Sequence, residues 1–383
     1  MAKVLLYGGF VQVLSASASL KACAHHVVVA AENDIIGKRA RSISNYIEFN
    51  ISLPEEQVTN NLINLCNAGG IDVIIPMEDA YATHLSHNKK KIERDTHSIC
   101  AVPDWDVFSM VSDKEKLLSF CKYHGIGHPK TAPINDNFDV LVSEIGFPSL
   151  IKPNHSEGSK GIVLVHSKGE LQANAKEIKK KYGECTLQEY IENDHYYNLM
   201  LYRSSTGKFS NHVIIKILRY YPIKGGSSCL AVSMEDRKMV DMCKKLLENL
   251  NWVGMADFDI LEKGTGDYKI IEINPRVPAS LRGAEISGVN FPEIILSDLI
   301  KKEMPVYDYT TGKYLRFLGL DIAWFVASKN RFKCQPSWFK FFGKEIYYED
   351  GGMRDLPSML TYFWSGIKKQ LSSEFRKSKA GLS

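Results

Sequence analysis

Short apolar runs alternate with amphipathic segments through the first hundred residues of the chain. The strand-like runs are at 3–7, 26–31 and 71–78, and the helical patterns are at about 11–23, 55–68 and 79–92. Apolar strands that alternate with helices are typical of a parallel sheet covered on both faces. The pattern therefore predicts a doubly wound domain over residues 1–110.

The N-terminal apolar stretch also has some features of a secretion signal. However, Gly8, Gly9 and Gln12 interrupt it, and a second apolar run follows at 26–31. That succession is typical of a strand, a glycine turn, a helix and a strand rather than of a cleaved leader. We therefore expect a cytoplasmic protein.

A second unit begins near residue 111, where Ser112 and Glu115 have the spacing of a capping box and predict a helix with Ser112 as its N-cap. The segments that follow are two strand-like runs, "SLIKP" and "GIVLV", around the polar loop "NHSEGSKG", a lysine-rich helix at 169–182, "CTLQEYIE", an apolar run at 211–222, a loop at 223–228 and a helix at about 234–250. We assign this domain to residues 111–304, with a smaller lobe at about 147–189, and treat 305–383 as a C-terminal extension.

A hairpin with acidic residues ends this domain. The runs "MADFDILE" (255–262) and "YKIIEIN" (268–274) are joined by "KGTGD", a glycine-containing turn. Strand alternation places Glu272, Asn274 and Arg276 on one face, and Lys269, Ile271 and Ile273 on the other. On the partner strand Asp257 and Asp259 share a face, and the turn puts Asp259 opposite residue 271 or 272.

Carboxylates in an apolar strand are costly unless a cation or a hydrogen-bond donor accompanies them. Oxygen ligands without Cys or His suit Mg²⁺ rather than zinc, and Mg²⁺ usually keeps positions for phosphate oxygens. Upstream, Lys152 leads into the loop "NHSEGSKG", whose glycines and lysine suit phosphate binding. The two features together predict a nucleotide site.

Composition excludes several classes of protein. A formal charge of +4 on 383 residues does not suggest a general nucleic-acid binder. The eight cysteines are scattered without a CxxC pair, which is typical of reduced thiols rather than of a disulfide framework or a zinc site. No apolar run reaches the ~18 residues of a transmembrane helix.

The C-terminal part mixes aromatic and basic residues in "PSWFKFFGK" (336–344) and "LTYFWSGIKKQLSSEFRKSK" (360–379). A helix that lies on a membrane surface has this composition. A helix that packs its aromatic side chains against the central domain has it too. We favour packing and keep membrane-surface association as an alternative.

Taken together, these segments resemble the ATP-grasp superfamily, in particular its carboxylate–amine ligases, over most of residues 1–300. The shared features are the N-terminal domain, "SDK", "FPSLIKP", "EGSKG", "LQEYIE" and "DFDILE…YKIIEINPR", of which "IEINPR" after an acidic strand is the most specific. The resemblance implies an α/β and α+β fold, with a doubly wound pre-ATP-grasp domain before a two-lobed ATP-grasp domain.

The resemblance also implies roles for individual residues. Lys114 and Lys152 would contact the nucleotide phosphates, and a loop with Gly158, Ser159, Lys160 and Gly161 would close over them. Gln188, Glu189, Tyr190 and Ile191 would form the hinge, with Glu189 at the adenine amino group. Asp259, Glu272 and Asn274 would hold Mg²⁺, or Mn²⁺ as an alternative, with Asp257 in reserve, and Arg276 would face an acyl phosphate.

The activity implied is an ATP-dependent ligation in which a small-molecule carboxylate is activated as an acyl phosphate and passed to an amine. Arg219 and Arg276 are candidates for holding the carboxylate and the acyl phosphate, because guanidinium binds both in bidentate geometry. An amino acid, a short peptide and a uronic-acid sugar remain open as substrates, and a homodimer is open as the assembly. The rival hypotheses are thiol ligation, phosphoryl transfer, and nucleotide binding without catalysis.

Each role has a structural alternative. Lys114 could be an exposed lysine in the first turn of a helix, Arg219 a surface residue beside two tyrosines, and Glu189 a solvated carboxylate. Glu272 and Asn274 could be ion-paired structural residues.

Overall fold

The structure is a computed structural model, and it describes residues 1–34, 36–155, 161–192, 195–223, 226–349 and 361. Three β-sheets organise these residues. The predicted fold class, a parallel N-terminal sheet followed by a two-lobed domain, is confirmed.

The N-terminal sheet has five parallel strands in the order β3-β2-β1-β4-β5. Its elements are β1 (Lys3–Tyr7), α1 (Gln12–Ala22), β2 (His26–Ala31), β3 (Asn45–Glu48), α2 (Glu55–Gly69), β4 (Val73–Pro76), α3 (Asp79–His87), α4 (Lys89–Asp95) and β5 (Ile99–Cys100). The central strands are buried on both faces because helices cover both, which explains why they are continuous apolar runs rather than alternating ones.

The smaller lobe is a four-stranded antiparallel sheet in the order β6-β9-β7-β8. Two helices lead into it and two pack on it. The elements are α5 (Trp105–Ser112), α6 (Lys114–Tyr123), β6 (Thr131–Pro133), α7 (Phe138–Ile145), β7 (Ser149–Pro153), β8 (Val163–Val165), α8 (Lys168–Tyr182) and β9 (Cys185–Glu189). The lobe therefore begins at residue 131, earlier than the expected 147.

The larger lobe is a seven-stranded sheet in the order β14-β13-β10-β11-β12-β15-β16. Its elements are β10 (His195–Arg203), β11 (Phe209–Tyr221), β12 (Ser227–Met234), α9 (Arg237–Asn249), β13 (Gly254–Glu262), β14 (Tyr268–Asn274), α10 (Leu281–Ile286), α11 (Phe291–Leu299), β15 (Tyr314–Arg316), α12 (Leu318–Ala327) and β16 (Ile346–Tyr348). One face packs on the N-terminal domain, and the opposite face packs on α6 and α9.

Three details differ from the sequence expectations. Asp113, not Ser112, is the N-cap of α6, because Ser112 still belongs to the preceding helix and the Asp113 carboxylate accepts from the backbone N–H of Glu115 and Lys116. The single helix expected at 79–92 is two helices that meet at Asn88. Strand β10 was not predicted, and it lies between the long apolar strand β11 and the acidic hairpin.

The described part of the C-terminal extension is continuous with the larger lobe. Strands β15 and β16 extend the central sheet beyond the expected boundary at residue 304, and α12 packs on β11 and β12. Trp324 of α12 is buried, whereas Phe339 and Phe342 in the segment 336–344, for which packing was expected, are exposed. The segment 360–379 lies outside the described residues except for Thr361.

All eight cysteines are free thiols. Among the described residues, no helix combines the length and apolar character needed to cross a membrane.

Candidate active site

The acidic hairpin has the predicted geometry. Strands β13 and β14 pair antiparallel, with Asp257 opposite Asn274 and Asp259 opposite Glu272. Opposed residues in a pleated sheet point to the same side, so three carboxylates and one amide lie on one face. The choice left open for the partner of Asp259 is thus resolved in favour of residue 272.

A bulge interrupts the hairpin directly after these residues. The register shifts between Asp259 and Ile260, and Ile260 pairs with Ile270. As a result Ile270 and Ile273 lie in the core that packs on α9, whereas strict alternation predicted Ile271 and Ile273. Bulges often redirect side chains beside functional sites, and this one keeps Glu272 on the acidic face.

The cations among the described residues do not offset the burial of the two aspartates, although Arg276 acts to lower the pKa of both. Asp257 is 3% exposed, its Oδ2 accepts from Asn274 Nδ2 at 3.3 Å, and its Oδ1 has no hydrogen-bond partner among the described residues. Burial, and then the neighbouring Asp259, raise the pKa of Asp257 well above its usual range. Burial, and then Glu272, likewise raise the pKa of Asp259. A divalent cation would remove this penalty, so the donor set fits Mg²⁺.

Such an ion would need further ligands. Among the described residues, no group of three or more His, Cys, Asp or Glu side chains is arranged to hold a metal unaided. That finding agrees with the usual Mg²⁺ site, in which one or two carboxylates share the ion with water and phosphate oxygens.

Strand β10 supplies two residues that the sequence reasoning missed. Asn198 is opposite Asp259 and donates its Nδ2–H to Asp259 Oδ1. The Tyr196 hydroxyl also hydrogen-bonds to Asp259. These two donors fix the orientation of Asp259. Reading "HYYNLMLYR" as a strand would have revealed them, since residues 196 and 198 then share the face of the acidic group.

Both predicted lysines reach the acidic face. Lys114 lies in the first turn of α6, and its Nζ is 3.4 Å from Glu272 Oε1. Lys152 lies in β7 of the smaller lobe and is almost fully buried. Burial lowers the pKa of Lys152 to about 8, while Glu272 acts against this effect and Lys114 adds to it. The two lysines therefore act on one carboxylate, that of Glu272, from two different elements.

Arg276 also lies at this site, and a residue of the N-terminal domain holds it. Its Nε donates to Asp79 Oδ1 at 2.7 Å, and its Nη2 donates to Asp79 Oδ2 at 3.1 Å. Nη2 also lies 3.5 Å from Asn274 Oδ1. Asp79 is the first residue of α3 and follows the carboxyl end of the parallel strand β4 after two residues, in a position where ligands commonly bind. That position was a signal for Asp79 that the sequence analysis did not use.

A cleft of about 740 Å³ opens beside this group. This volume is within the range of about 300–1,000 Å³ that is typical of small-molecule sites. Residues from both domains line it, among them Asp79, Lys114, His155, Tyr182, Glu272 and Asn274.

The predicted hinge residues lie at the end of β9. Gln188 and Ile191 are buried, and the backbone N–H of Tyr190 donates to the carbonyl of Pro148. The Glu189 carboxylate accepts from the backbone N–H of Lys130 at 3.1 Å, so one of its oxygens already has a partner. The predicted adenine contact of Glu189 stays a prediction.

Three of the four predicted loop residues, Gly158, Ser159 and Lys160, lie outside the described residues. The fourth, Gly161, has a φ of +74°, and a Cβ there would lie 2.7 Å from the ring of Tyr182. Packing under Tyr182 therefore already requires glycine at position 161.

Arg219 is the predicted site residue that the structure places elsewhere. It donates to both carboxylate oxygens of Asp321, at 2.8 and 2.9 Å, and to the carbonyl oxygen of Pro336 at 3.0 Å. Its side chain is 3% exposed, and it is not among the residues that line the cleft. The expectation that Arg219 holds a substrate is corrected, because its donors bind the C-terminal region instead.

Comparison with known proteins finds similarities over the central domain. Residues 111–280 match the family model described as ATP-grasp domain. The D-aspartate ligase of Enterococcus faecium is 22% identical over 63% of this chain and 61% of its own length. The D-alanine–D-alanine ligase of Chromohalobacter salexigens is 20% identical over 52% of this chain and 65% of its own length. The chain thus spans less than two thirds of either relative.

Solved structures extend the match to the N-terminal domain. The biotin carboxylase domain of the Hydrogenobacter thermophilus 2-oxoglutarate carboxylase, described as a dimer with MgADP and bicarbonate, superposes with a TM-score of 0.68. That alignment covers 82% of this chain and 73% of the other at 16% identity, so it supports the fold. Residues 111–280 are therefore similar to an ATP-grasp domain, and the fold of the chain, with its N-terminal parallel sheet, is similar to that of this solved structure.

Proposed function

We propose that this protein is an ATP- and Mg²⁺-dependent ligase that activates a small-molecule carboxylate as an acyl phosphate and joins it to an amine, with release of ADP and phosphate. The observation that carries the proposal is the convergence of Lys114 and Lys152 on Glu272, which lies opposite Asp259 and lines the cleft together with Lys114. Opposed clusters of cationic and carboxylate groups suit a triphosphate with its metal ion.

In this proposal the chain's own residues divide the work. Lys114 and Lys152 hold the phosphate oxygens, and an anion beside Lys152 would favour its charged form, which burial disfavours. Asp259, Glu272 and Asn274 hold Mg²⁺, and Tyr196 and Asn198 keep Asp259 in place. When bound, the ion neutralises phosphate charge while the carboxylate attacks in line.

Arg276 is the proposed contact for the acyl phosphate. It shares the face of Asn274, and Asp79 fixes its guanidinium from the neighbouring domain. An arginine held in this way is oriented before the substrate arrives. Its donors then need no rearrangement to stabilise the negative charge that develops in the transition state. The hinge role of residues 188–191 belongs to the same proposal, as does the division at residue 110 between the N-terminal domain and the ligase domain.

The substrates we propose are of amino-acid size. The two curated relatives are named as ligases of D-aspartate and of D-alanine with D-alanine, so their names support a carboxylate and an amine on small molecules. The thiol-ligation and phosphoryl-transfer hypotheses have no comparable support from these names.

The decisive experiment measures ADP release with pools of amino acids, each tested as acid, as amine and in pairs. Release that requires both an acid and an amine, with an amide product by mass spectrometry, supports the ligase. Release with acid alone and a stable phosphorylated product would assign phosphoryl transfer instead. Binding of ATP without turnover in any pool would leave the non-catalytic hypothesis as the better one.

A further inference from the structure

Residues 322–344, which lie between β15 and β16 in the chain, display apolar side chains at the surface. Val326 is 69% exposed, Phe332 74%, Phe339 58% and Phe342 87%. Side chains exposed to this degree project from the surface rather than line a groove. We call these four residues, with Lys329, Arg331, Lys333, Lys340 and Lys344, the aromatic–basic patch.

Buried ion pairs and hydrogen bonds hold the segment that carries the patch. Asp321, which has no exposed surface, binds both Arg219 and Arg316. These arginines in turn donate to the backbone carbonyls of Pro336, Trp338 and Lys340. The carbonyls lie in the segment that carries Phe339, so buried charged hydrogen bonds fasten it to the sheet while its phenylalanines face outward.

The aromatic side chains also form a cluster. The rings of Phe332 and Phe339 are stacked at 6.4 Å, and Phe325 contacts them at 5.5 and 5.8 Å. The Arg331 guanidinium lies 5.8 Å from the ring of Phe325 and 5.7 Å from that of Phe332. A cation is therefore held within the apolar cluster itself.

The charge of this segment has one sign. Residues 322–344 contain the five cations of the patch and no Asp or Glu. The next acidic residue, Glu345, is paired with Lys313. A second copy of the chain placed face to face would bring like charges together, which disfavours a symmetric dimer through this surface. An anionic partner complements it.

We propose that the aromatic–basic patch docks the protein on an anionic phospholipid surface, with Phe332, Phe339 and Phe342 inserted among the lipids and the five cations at the headgroups. Apolar side chains that project from a surface can insert into a lipid bilayer, because the lipids rearrange around them and no matching pocket is required. Basic residues are attracted to anionic headgroups. This inference is independent of the proposed ligase activity.

The test is flotation of the full chain with vesicles of phosphatidylcholine alone, or with about one third phosphatidylglycerol. We expect binding to the anionic vesicles, weak binding to the neutral ones, and loss of binding in about 0.5 M salt. Phe332→Ser combined with Phe339→Ser should lower the partition coefficient at least about tenfold. Lys329→Glu with Lys333→Glu should lower it about tenfold or more without touching the aromatic cluster.

Matched control variants lie on other surfaces. Tyr123→Ser removes an aromatic side chain that is 86% exposed. Lys176→Glu with Lys180→Glu makes the same charge change on α8. Both controls should bind as the wild type does, and thermal unfolding checks that every variant is folded.

Three results would overturn the proposal. The first is no vesicle binding by the wild type at low salt. The second is binding that the patch variants leave unchanged, which would locate the contact elsewhere on the chain. The third is concentration-dependent dimerisation that Phe332→Ser with Phe339→Ser abolishes, without vesicle binding, which would make a second copy the occupant.

Discussion

The buried carboxylate of Asp321 gives the sharpest test of the structure. It lies between two guanidinium groups, with Arg219 at 2.8 and 2.9 Å and Arg316 Nε at 2.6 Å. None of the three side chains is more than 3% exposed. The change Asp321→Asn keeps the size of the side chain and removes the only negative charge in this contact set.

The expected loss follows from what remains. Breaking a buried ion pair by removing one partner costs about 3–5 kcal/mol, because the other charge stays buried without compensation. Here two guanidinium groups lose their counter-charge. They keep the carbonyl contacts and lie 5.0 Å from the ring of Trp324 and 4.2 Å from that of Phe341, which offsets part of the cost. We therefore expect Asp321→Asn to lower the free energy of unfolding by about 3–5 kcal/mol.

Urea unfolding followed by tryptophan fluorescence measures this loss, because Trp324 and Trp338 lie at the cluster. A chain with several lobes need not unfold in one step, so the comparison uses the transition that these tryptophans report. The matched control is Asp139→Asn, which removes a carboxylate that is 83% exposed and paired with Lys168. It should change stability by less than about 0.5 kcal/mol. An Asp321→Asn midpoint equal to that of the control would refute the buried network.

Arg219 and Arg276 were both predicted to contact the substrate, and substitutions can distinguish their roles. Arg219→Met should lower stability while turnover per folded molecule stays near that of the wild type. Arg276→Met should lower turnover per folded molecule and change stability less, since Arg276 is the proposed contact of the acyl phosphate beside Asn274. Loss of turnover in Arg219→Met at unchanged stability would restore its predicted contact with substrate.

Three further predictions concern the site and its surroundings. Glu272→Gln should lower turnover at least about a hundredfold in steady-state assays with the fold intact, because it removes a proposed metal ligand, and near-normal turnover at limiting Mg²⁺ would exclude that role. Asp79→Asn should lower kcat about tenfold with little change in the KM for ATP, because it no longer holds Arg276 in place. Asp79→Glu should recover part of this loss. Equal kcat values for Asp79→Asn and the wild type would contradict the role of Asp79. Burial lowers the pKa of His84 to about 4. Between about pH 6.5 and pH 4, His84 is therefore protonated in the unfolded chain and neutral in the folded chain. Stability should therefore fall by about 2 kcal/mol between pH 7 and pH 5, and His84→Gln should remove that part of the pH dependence in urea titrations.

The part of the site that could be predicted is the part encoded locally. The hairpin needs only two alternating runs and a short turn, and these place Asp259 opposite residue 271 or 272; the bulge decides for Glu272. The bulge after Asp259 was beyond that reasoning, because alternation alone carries no sign of an extra residue. Strand β10 was missed although its run "HYYNLMLYR" could be recognised as a strand, whereas its pairing with the acidic strand β13 is a contact at longer range along the chain.

The sequence could not predict which distant aspartate each arginine of the larger lobe would bind. Arg219 lies on β11 and Arg276 lies two residues beyond the end of β14 in the same sheet, and each makes a bidentate contact with an aspartate. Asp321 comes 102 residues after Arg219, and Asp79 comes 197 residues before Arg276. A guanidinium group on a strand is equally suited to a substrate and to a buried carboxylate. Its role is decided by whether the opposite carboxylate is enclosed, as at Asp321, or borders a cleft, as at Asp79, and only the folded chain determines that.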